Sequence, residues 1–283
     1  MQTIVGVGTA GCNIARKFEN YPQYKVLKVD SEDVKEKRYL KLPVYDTPEE
    51  YEAHEAKTGN FFRGVSDESV LFVLCGASTI SGISLVLMEK LVKKGCGVQV
   101  LYIYPEVDLM GESKTLQERV ARNVLQQYAR SGALGRIYMI SNIELEKMID
   151  NITIMNYHES LNEMLVSTVH MINVFNNTKS VSDTFSRPVP SAKISTYGFV
   201  DFSTGEEKMF FPIDNIREIR YYYGIPKSKL ETEAHLFRKI VDQVKSRKTE
   251  NIKVSYGIFA TDYEHEYVYM VAHSSRIQEI EKN

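Results

Sequence analysis

Along the first half of the chain, short apolar runs alternate with stretches in which apolar residues recur every three or four positions. The β-branched run at 3–7 ends in glycines. It and the apolar runs at 24–29, 70–75, 98–104 and 136–140 each predict a buried strand, with a weaker one at 39–44. Between them, 11–18, 48–56, 83–94 and 114–129 carry helical spacing, the second opening at Thr47 or Pro48. Strands without clean in–out alternation, separated by helices, predict a parallel sheet covered on both faces. A long helix follows at 155–175, where Leu161, Leu165, Val169 and Ile172 repeat; such a length spans about 30 Å. Residues 176–192, with Pro188 and Pro190, predict a linker. The remainder has a different texture: an alternating strand at 194–202, an amphipathic helix at 231–246, and strands at 252–260 and 266–272 paired around the polar turn 262–265. The fold class is therefore α/β: a Rossmann-like parallel-sheet domain over 1–150, a central helix over 151–177, and a smaller α/β domain with antiparallel character over 178–283.

Composition narrows the functional classes. The chain has 283 residues, 43% hydrophobic and 25% charged, which excludes a disordered or fibrous design. Lys+Arg 35 against Asp+Glu 37 leaves a net charge of -2, so neither nucleic acid nor membrane is expected as a direct partner. No stretch approaches the ~18 apolar residues of a membrane span, and Thr3-Ile4-Val5-Gly6 lacks the pattern of a secretory leader. Cys12, Cys75 and Cys96 form a sparse, odd set without zinc-ligand spacing. That set implies a reducing, cytoplasmic setting and no metal site. Cys12 and Cys75 read as small buried residues, Tyr221-Tyr222-Tyr223 as loop and edge packing, and Glu49, Glu50, Glu52 and Glu55 as a solvated helix face.

Two glycine turns carry the chemistry. Gly6-Val7-Gly8-Thr9-Ala10-Gly11-Cys12-Asn13 follows a strand and opens a helix. Glycines there admit close backbone approach, and a helix amino terminus offers free N–H groups to a phosphate. Asp30, about 20 residues on, is also compatible with a dinucleotide site. Gly76-Ala77-Ser78-Thr79-Ile80-Ser81-Gly82 follows the strand at 70–75. Two such turns on one sheet point to a single nucleotide held from two sides, without the Lys of a Walker motif.

These residues resemble the tubulin/FtsZ superfamily. Gly8-Thr9-Ala10-Gly11-Cys12-Asn13-Ile14 is similar to the first loop of tubulin, and the second turn stands where that family has GGGTG(S/T)G. Gly76, Thr79, Ser81 and Gly82 match it, while Ala77, Ser78 and Ile80 replace glycines. Val29-Asp30-Ser31 resembles the family's acidic loop. Tyr104-Pro105 with Met110-Gly111 resembles the loop near the ribose, with Lys114 where a basic residue often sits. Asn142 resembles the residue that hydrogen-bonds guanine. His158 and Asn162, at i and i+4 on the long helix, stand where a ring stacks on the base and an amide reads its edge, with Tyr157 as a neighbouring substitute. The likeness covers essentially the whole chain, which is shorter than the family's between Ser31 and Val70, after Asn176 and at the tail.

The resemblance implies a guanine-nucleotide domain over 1–150 that takes GTP or GDP, with Mg2+ as a candidate companion. Gly8, Thr9, Ala10, Gly11, Cys12, Gly76, Ala77, Ser78, Thr79, Ser81 and Gly82 would meet the phosphates; Asp30, Gly111, Lys114, Asn142, His158 and Asn162 would meet ribose and base. It also implies head-to-tail assembly of the chain with itself into a cytoskeletal filament. After the central helix the family carries Asn-x-Asp-x-x-Asp/Glu, whose acids position the attacking water in the next subunit's site. Here Asn176 fits, Thr178 and Val181 stand at the acidic positions, and Asp183 is the nearest carboxylate. Ile80 at a glycine position is expected to strain the second turn, because β-branched residues resist positive φ. The reading is a nucleotide-binding, filament-forming protein with weak or lost hydrolysis. A scaffold of the same fold with little nucleotide binding is the alternative. A nicotinamide or flavin enzyme is the third reading, for which no catalytic constellation stands out.

Overall fold

The apolar runs of the first half form strands, and glycine-led turns hand the first and the fourth of them to helices. The computed structural model describes residues 2–66 and 68–279. It divides into two units, Met1–Val166 and Ser167–Asn283, with the border inside the long helix.

In the first unit the chain runs β1 (Gln2–Val7), α1 (Gly8–Phe18), β2 (Tyr24–Asp30), β3 (Tyr39–Lys41), α2 (Pro48–Glu52) and β4 (Ser69–Cys75). A 3₁₀ turn, Thr79–Ile83, leads to α3 (Ser84–Val92), β5 (Gly97–Tyr104), α4 (Glu112–Ser131), β6 (Arg136–Ser141), α5 (Asn142–Glu146) and α6 (Tyr157–Asn176). The strands lie in the order β3-β2-β1-β4-β5-β6, and every neighbouring pair is parallel. Both sides of these strands are buried: Ile4, Val5, Leu71, Phe72, Val73, Val100 and Leu101 are closed to solvent, as expected of a parallel sheet. Helix α1 starts three residues earlier than its periodicity predicts, because Gly8 at φ +70 turns the chain directly out of β1. Helix α2 is held by a capping box between Thr47 and Glu50, with Pro48 at its first turn. Glu49, Glu50 and Glu52 are exposed on it, as read from the sequence; the helix ends at Glu52, so the exposed Glu55 lies beyond it and not on the same face.

The second unit contains β7 (Ser182–Asp183), β8 (Ile194–Val200), β9 (Glu207–Met209), β10 (Ile216–Pro226), α7 (Lys227–Thr232), α8 (Leu236–Arg247), β11 (Lys253–Thr261) and β12 (Tyr267–Ser274). Its strands run β9-β8-β12-β10-β11-β7, antiparallel except for the parallel pair β10–β11. This corrects the expected pairing of the last two strands with each other. The long apolar β10 stands between them, with β12 on one edge and β11 on the other, and the α7–α8 crossover makes β11 parallel to it. The tyrosine run is likewise neither loop nor edge. Tyr221, Tyr222 and Tyr223 are buried in this central strand. Their hydroxyls are satisfied by Glu207, by Asn176 at 3.0 Å and by Gln243 at 2.9 Å. On one side Phe175, Tyr222 and Phe259 stack together, Phe175 lying 4.6 Å from Phe259 between centroids, and Phe185 tilts against them. The expected linker at 176–192 is instead bound to the sheet. Val181 N–H donates to Ile258 O at 2.7 Å, Thr184 N–H to Tyr256 O at 2.8 Å, and Val189 N–H to the buried Glu218 carboxylate at 2.7 Å. The amphipathic stretch at 231–246 breaks near Glu233, so α7 and α8 are separate helices.

Candidate functional site

All strands of the first sheet are parallel, so their carboxyl ends share one edge. Gly8, Ser31, Gly76, Pro105 and Asn142 are the residues that follow β1, β2, β4, β5 and β6 there. The order β3-β2-β1-β4-β5-β6 reverses between β1 and β4. In an open parallel sheet that reversal leaves a crevice outside the strand ends, where ligands bind. The two glycine turns follow β1 and β4, on either side of the reversal.

The first turn is tight because helix α1 lies backbone to backbone on the sheet. A Cβ on Gly11 would sit 2.5 Å from Val73 O, and one on Gly6 would collide with the Gly11 carbonyl. Gly8 and Gly11 are buried, whereas Thr9 and Ala10 are exposed. No side chain caps α1, so its first N–H groups face the edge with the positive end of the helix dipole. Thr9 Oγ1 donates to Asp30 Oδ2 at 3.2 Å, and Ser31 N–H donates to Asp30 Oδ1 at 2.8 Å. These bonds join the ends of β1 and β2. Cys12 points inward, its Sγ 3.5 Å from both Gly6 O and Val29 O. Burial, then the nearby Asp30 charge, push its thiol up to about 12. Cys12 thus offers the edge its backbone alone.

The second turn is a 3₁₀ helix and not an open glycine loop. Ser78 N–H donates to Cys75 O at 3.3 Å and Ser81 N–H to Ser78 O at 2.9 Å. Among the described residues the non-glycine positive φ angles belong to Arg38, Asn151 and Asn215, so the strain expected at Ile80 is absent. Ile80 is buried, and a Cβ on Gly8 would lie 2.8 Å from its Cγ2 and 3.2 Å from Ser78 Oγ. The two turns therefore touch. Gly76 and Gly82 answer to packing: a side chain on the first would strike the Tyr102 hydroxyl, and on the second the Pro48 carbonyl. Ala77 is buried; Thr79 and Ser81 are half-buried, and Ser81 Oγ reaches back to Gly76 O at 3.4 Å.

Beneath this turn lies a group of side chains without a sequence signal. Gln117 Nε2 donates to Ser78 O at 2.9 Å. Tyr102 Oη donates to Glu118 Oε1 at 2.9 Å, and Arg122 Nε to the same oxygen at 2.9 Å. Glu118 and Arg122 are both buried, and the guanidinium covers the Tyr104 ring. Burial and the Glu118 charge hold the Tyr102 hydroxyl far above its ordinary range. Helix α4 thereby anchors the second turn.

Of the residues expected at ribose and base, Asn142 directly follows β6 at this edge, Gly111 and Lys114 come after β5 by way of residues 105–110, and His158 and Asn162 stand on α6. Gly111 caps the start of α4 in open space, and Lys114 is exposed on its first turn. Asn142 opens α5 directly after β6 and is half-buried. His158 is exposed and Asn162 half-buried, on the first turns of α6. Their helix is set from two sides: Tyr157 Oη donates to Glu146 Oε2 at 2.9 Å, and Lys17 bridges Glu163 at 2.9 Å and Glu159 at 3.4 Å. Tyr157 lies against the His158 ring, centroids 5.1 Å apart. Burial and the bond to Glu146 push its hydroxyl up to about 12. Tyr157 is thereby occupied with α5.

In the second unit, Asn176 accepts from the Tyr222 hydroxyl, and Thr178 Oγ1 donates back to Val174 O at 2.8 Å. Val181 is exposed. The Asp183 carboxylate accepts from the Ser180 hydroxyl and, at 3.2 Å, from Phe185 N–H. Asp183 thus braces its own turn. Among the described residues no group of three His, Cys, Asp or Glu side chains is arranged to hold a metal ion, and no helix is long and apolar enough to cross a membrane.

No protein-family model matches the chain, and neither does any curated protein. Solved structures do. A GTPγS-form protofilament of Bacillus thuringiensis serovar israelensis TubZ is similar at 15% identity and a TM-score of 0.75, over 96% of this chain and 87% of that one. An empty FtsZ dimer from M. jannaschii gives 15% and 0.71, over 96% and 88%. CetZ2 from Haloferax volcanii, a GTPγS-bound protofilament, gives 12% and 0.69, over 96% and 92%. At such identities the likeness speaks for architecture, and it extends over nearly the whole of each chain: this protein has a tubulin/FtsZ-like fold.

Proposed function

We propose that the chain binds a guanine nucleotide at the carboxyl edge of its parallel sheet and assembles head-to-tail with itself. The observation that carries this reading is the placement of two glycine turns on either side of the β1/β4 reversal, the uncapped start of α1 facing the same crevice. Gly8, Thr9, Ala10 and Gly11 supply backbone donors, and Asp30 fixes Thr9. Asn142 and Asn162 are half-buried amides with donors and acceptors suited to a guanine edge, and His158 presents a ring. The filament structures of TubZ and the GTPγS-bound protofilament of CetZ2 support the assembly. A cytoplasmic setting belongs to the same reading, supported by the three free cysteines.

Hydrolysis is slow under this reading. Water activation needs an available polar group within hydrogen-bond reach. Val181 has none, the Thr178 hydroxyl is turned back onto its helix, and Asp183 is engaged by Ser180 and Phe185. The chemistry of the edge fits Mg2+ carried in on phosphates and not an all-protein cage. Bound there, the ion would offset phosphate charge.

Calorimetry with GTP, GDP, ATP and NAD tests the pocket. Light scattering and electron microscopy with GTP test assembly. Guanine nucleotides are expected to bind, with Asn162→Ala losing selectivity over ATP. Absence of guanine binding at millimolar concentration would favour the scaffold reading, which the self-satisfied second turn also supports; tight NAD binding would favour the dinucleotide enzyme.

A further inference from the structure

We propose that the cavity between α8 and the β8–β9 turn is a binding site for a small aromatic carboxylate. The site belongs to the second unit alone and stands whether or not the chain binds a nucleotide.

The cavity has a volume of about 260 Å3. That is far larger than the water-sized gaps of a packed interior, and just below the ~300 Å3 at which pockets for drug-sized ligands begin. Its walls are held in place by bonds within the protein. Helix α8 buries Leu236, Ile240 and Val244, and the Tyr223 hydroxyl donates to Gln243 Oε1 at 2.9 Å, tying the helix to the sheet. Opposite, Asp201 Oδ1 accepts from Ser203 N–H at 2.8 Å and Thr204 N–H at 2.7 Å, and Gly205 at φ +77 completes the turn. The lining has an apolar part, Val200 and Phe202 with the Tyr221 ring, and a polar part along one face of α8.

The charge of the ligand follows from which polar groups already have partners. The Glu207 carboxylate accepts from the Tyr221 hydroxyl and, at 2.6 Å, from Arg247. Burial and that carboxylate hold the Tyr221 hydroxyl well above its ordinary range, so it stays a donor. Asp242 pairs with Arg238 at 3.1 Å, and Glu266, which feels the Lys239 charge, is bonded to Lys229. Among the described residues, neither the Lys239 amine nor Gln243 Nε2 has a hydrogen-bond acceptor; the amine lies over the Phe202 ring, 4.0 Å from its centroid. A cation and an amide donor four residues apart on a helix suit one carboxylate. A dianion such as phosphate would be opposed by Glu207 and Asp242, and a cation by Lys239. The body of the ligand takes the wall of Val200 and Phe202, which favours a ring.

Benzoate is the probe, read on the intact chain by saturation-transfer NMR and calorimetry, with inorganic phosphate and benzylamine as comparisons. Benzoate is expected to bind with a Kd on the order of 1 mM or tighter, as its size allows. It should bind about tenfold more tightly than either comparison. Lys239→Gln removes an exposed charge and should weaken benzoate about tenfold. Ser246→Phe fills the cavity from the helix and should abolish binding. Thermal melting verifies that each variant folds; if Ser246→Phe does not, Lys239→Gln decides. Absence of benzoate binding at about 20 mM overturns the proposal. So does phosphate or benzylamine binding as tight as benzoate, or benzoate binding that a folded variant leaves unchanged.

Discussion

Gly76 shows how one residue can satisfy two different demands. Its motif marks it as a place for a phosphate, yet its immediate need is the Tyr102 ring, whose hydroxyl occupies the space a Cβ would take. Gly76→Ala should therefore cost about 1–3 kcal/mol in denaturant unfolding, the usual penalty of overpacking. In a Tyr102→Phe background the added cost should shrink by about 0.5 kcal/mol or more, because the two positions share one contact. Cys12 gives a second residue-scale prediction. Its folded thiol is raised to about 12 from 9.0, chiefly by burial. A raised acid stabilises the fold below its unfolded pKa and loses that contribution as pH climbs towards the folded one. Stability should accordingly fall between pH 9 and about 12, and a Cys12→Ala variant should show a smaller fall. At pH 8 the native thiol should resist maleimide, read by mass spectrometry.

Among the elements, α4 does more than cover the sheet. Through Gln117 it holds the second turn, and through Glu118 and Arg122 it carries a buried ion pair under that turn. Removing one partner leaves an uncompensated buried charge, so Arg122→Ala should lose about 3–5 kcal/mol in urea titration. The capping box of α2 is a smaller device; Thr47→Ala should cost about 1 kcal/mol. Most elements of the first unit were legible because they are marked locally, by an apolar run, a glycine turn or a helical period; the short α5 is not. Strand β10 was not. Tyr221-Tyr222-Tyr223 has no alternation to show burial on both sides, and its neighbours β11 and β12 begin 37 and 51 positions after its start at Ile216, once α7 and α8 have intervened. A local turn at 262–265 looked like a hairpin; a longer-range partner won.

For the molecule as a whole, the assembly reading places the segment after α6 of one copy at the nucleotide of the next. Thr178→Asp combined with Val181→Glu restores carboxylates at those positions. Phosphate release with GTP should then rise about tenfold or more over the wild-type chain, a modest share of what a positioned base contributes. The rate per subunit should also climb with protein concentration, as it must if the segment acts on a neighbour. An unchanged rate at concentrations where light scattering shows assembly would contradict the role given to that segment.

By itself the sequence determined the parallel half of the fold, the long helix and the two turns at the carboxyl edge, since periodicity and glycine position act over a few residues. It also located Asn142 directly after a strand of that sheet, and His158 and Asn162 on the first turns of the long helix. Only the tertiary structure decided that Asp30 clasps Thr9, that Ile80 closes over Gly8 without strain, that Gly76 and Gly82 yield to Tyr102 and Pro48, and that Asp183 is bound within its own turn. Those outcomes depend on which distant side chains fill one space and which strand lies beside which. Such choices are made by packing between elements, to which local pattern is blind.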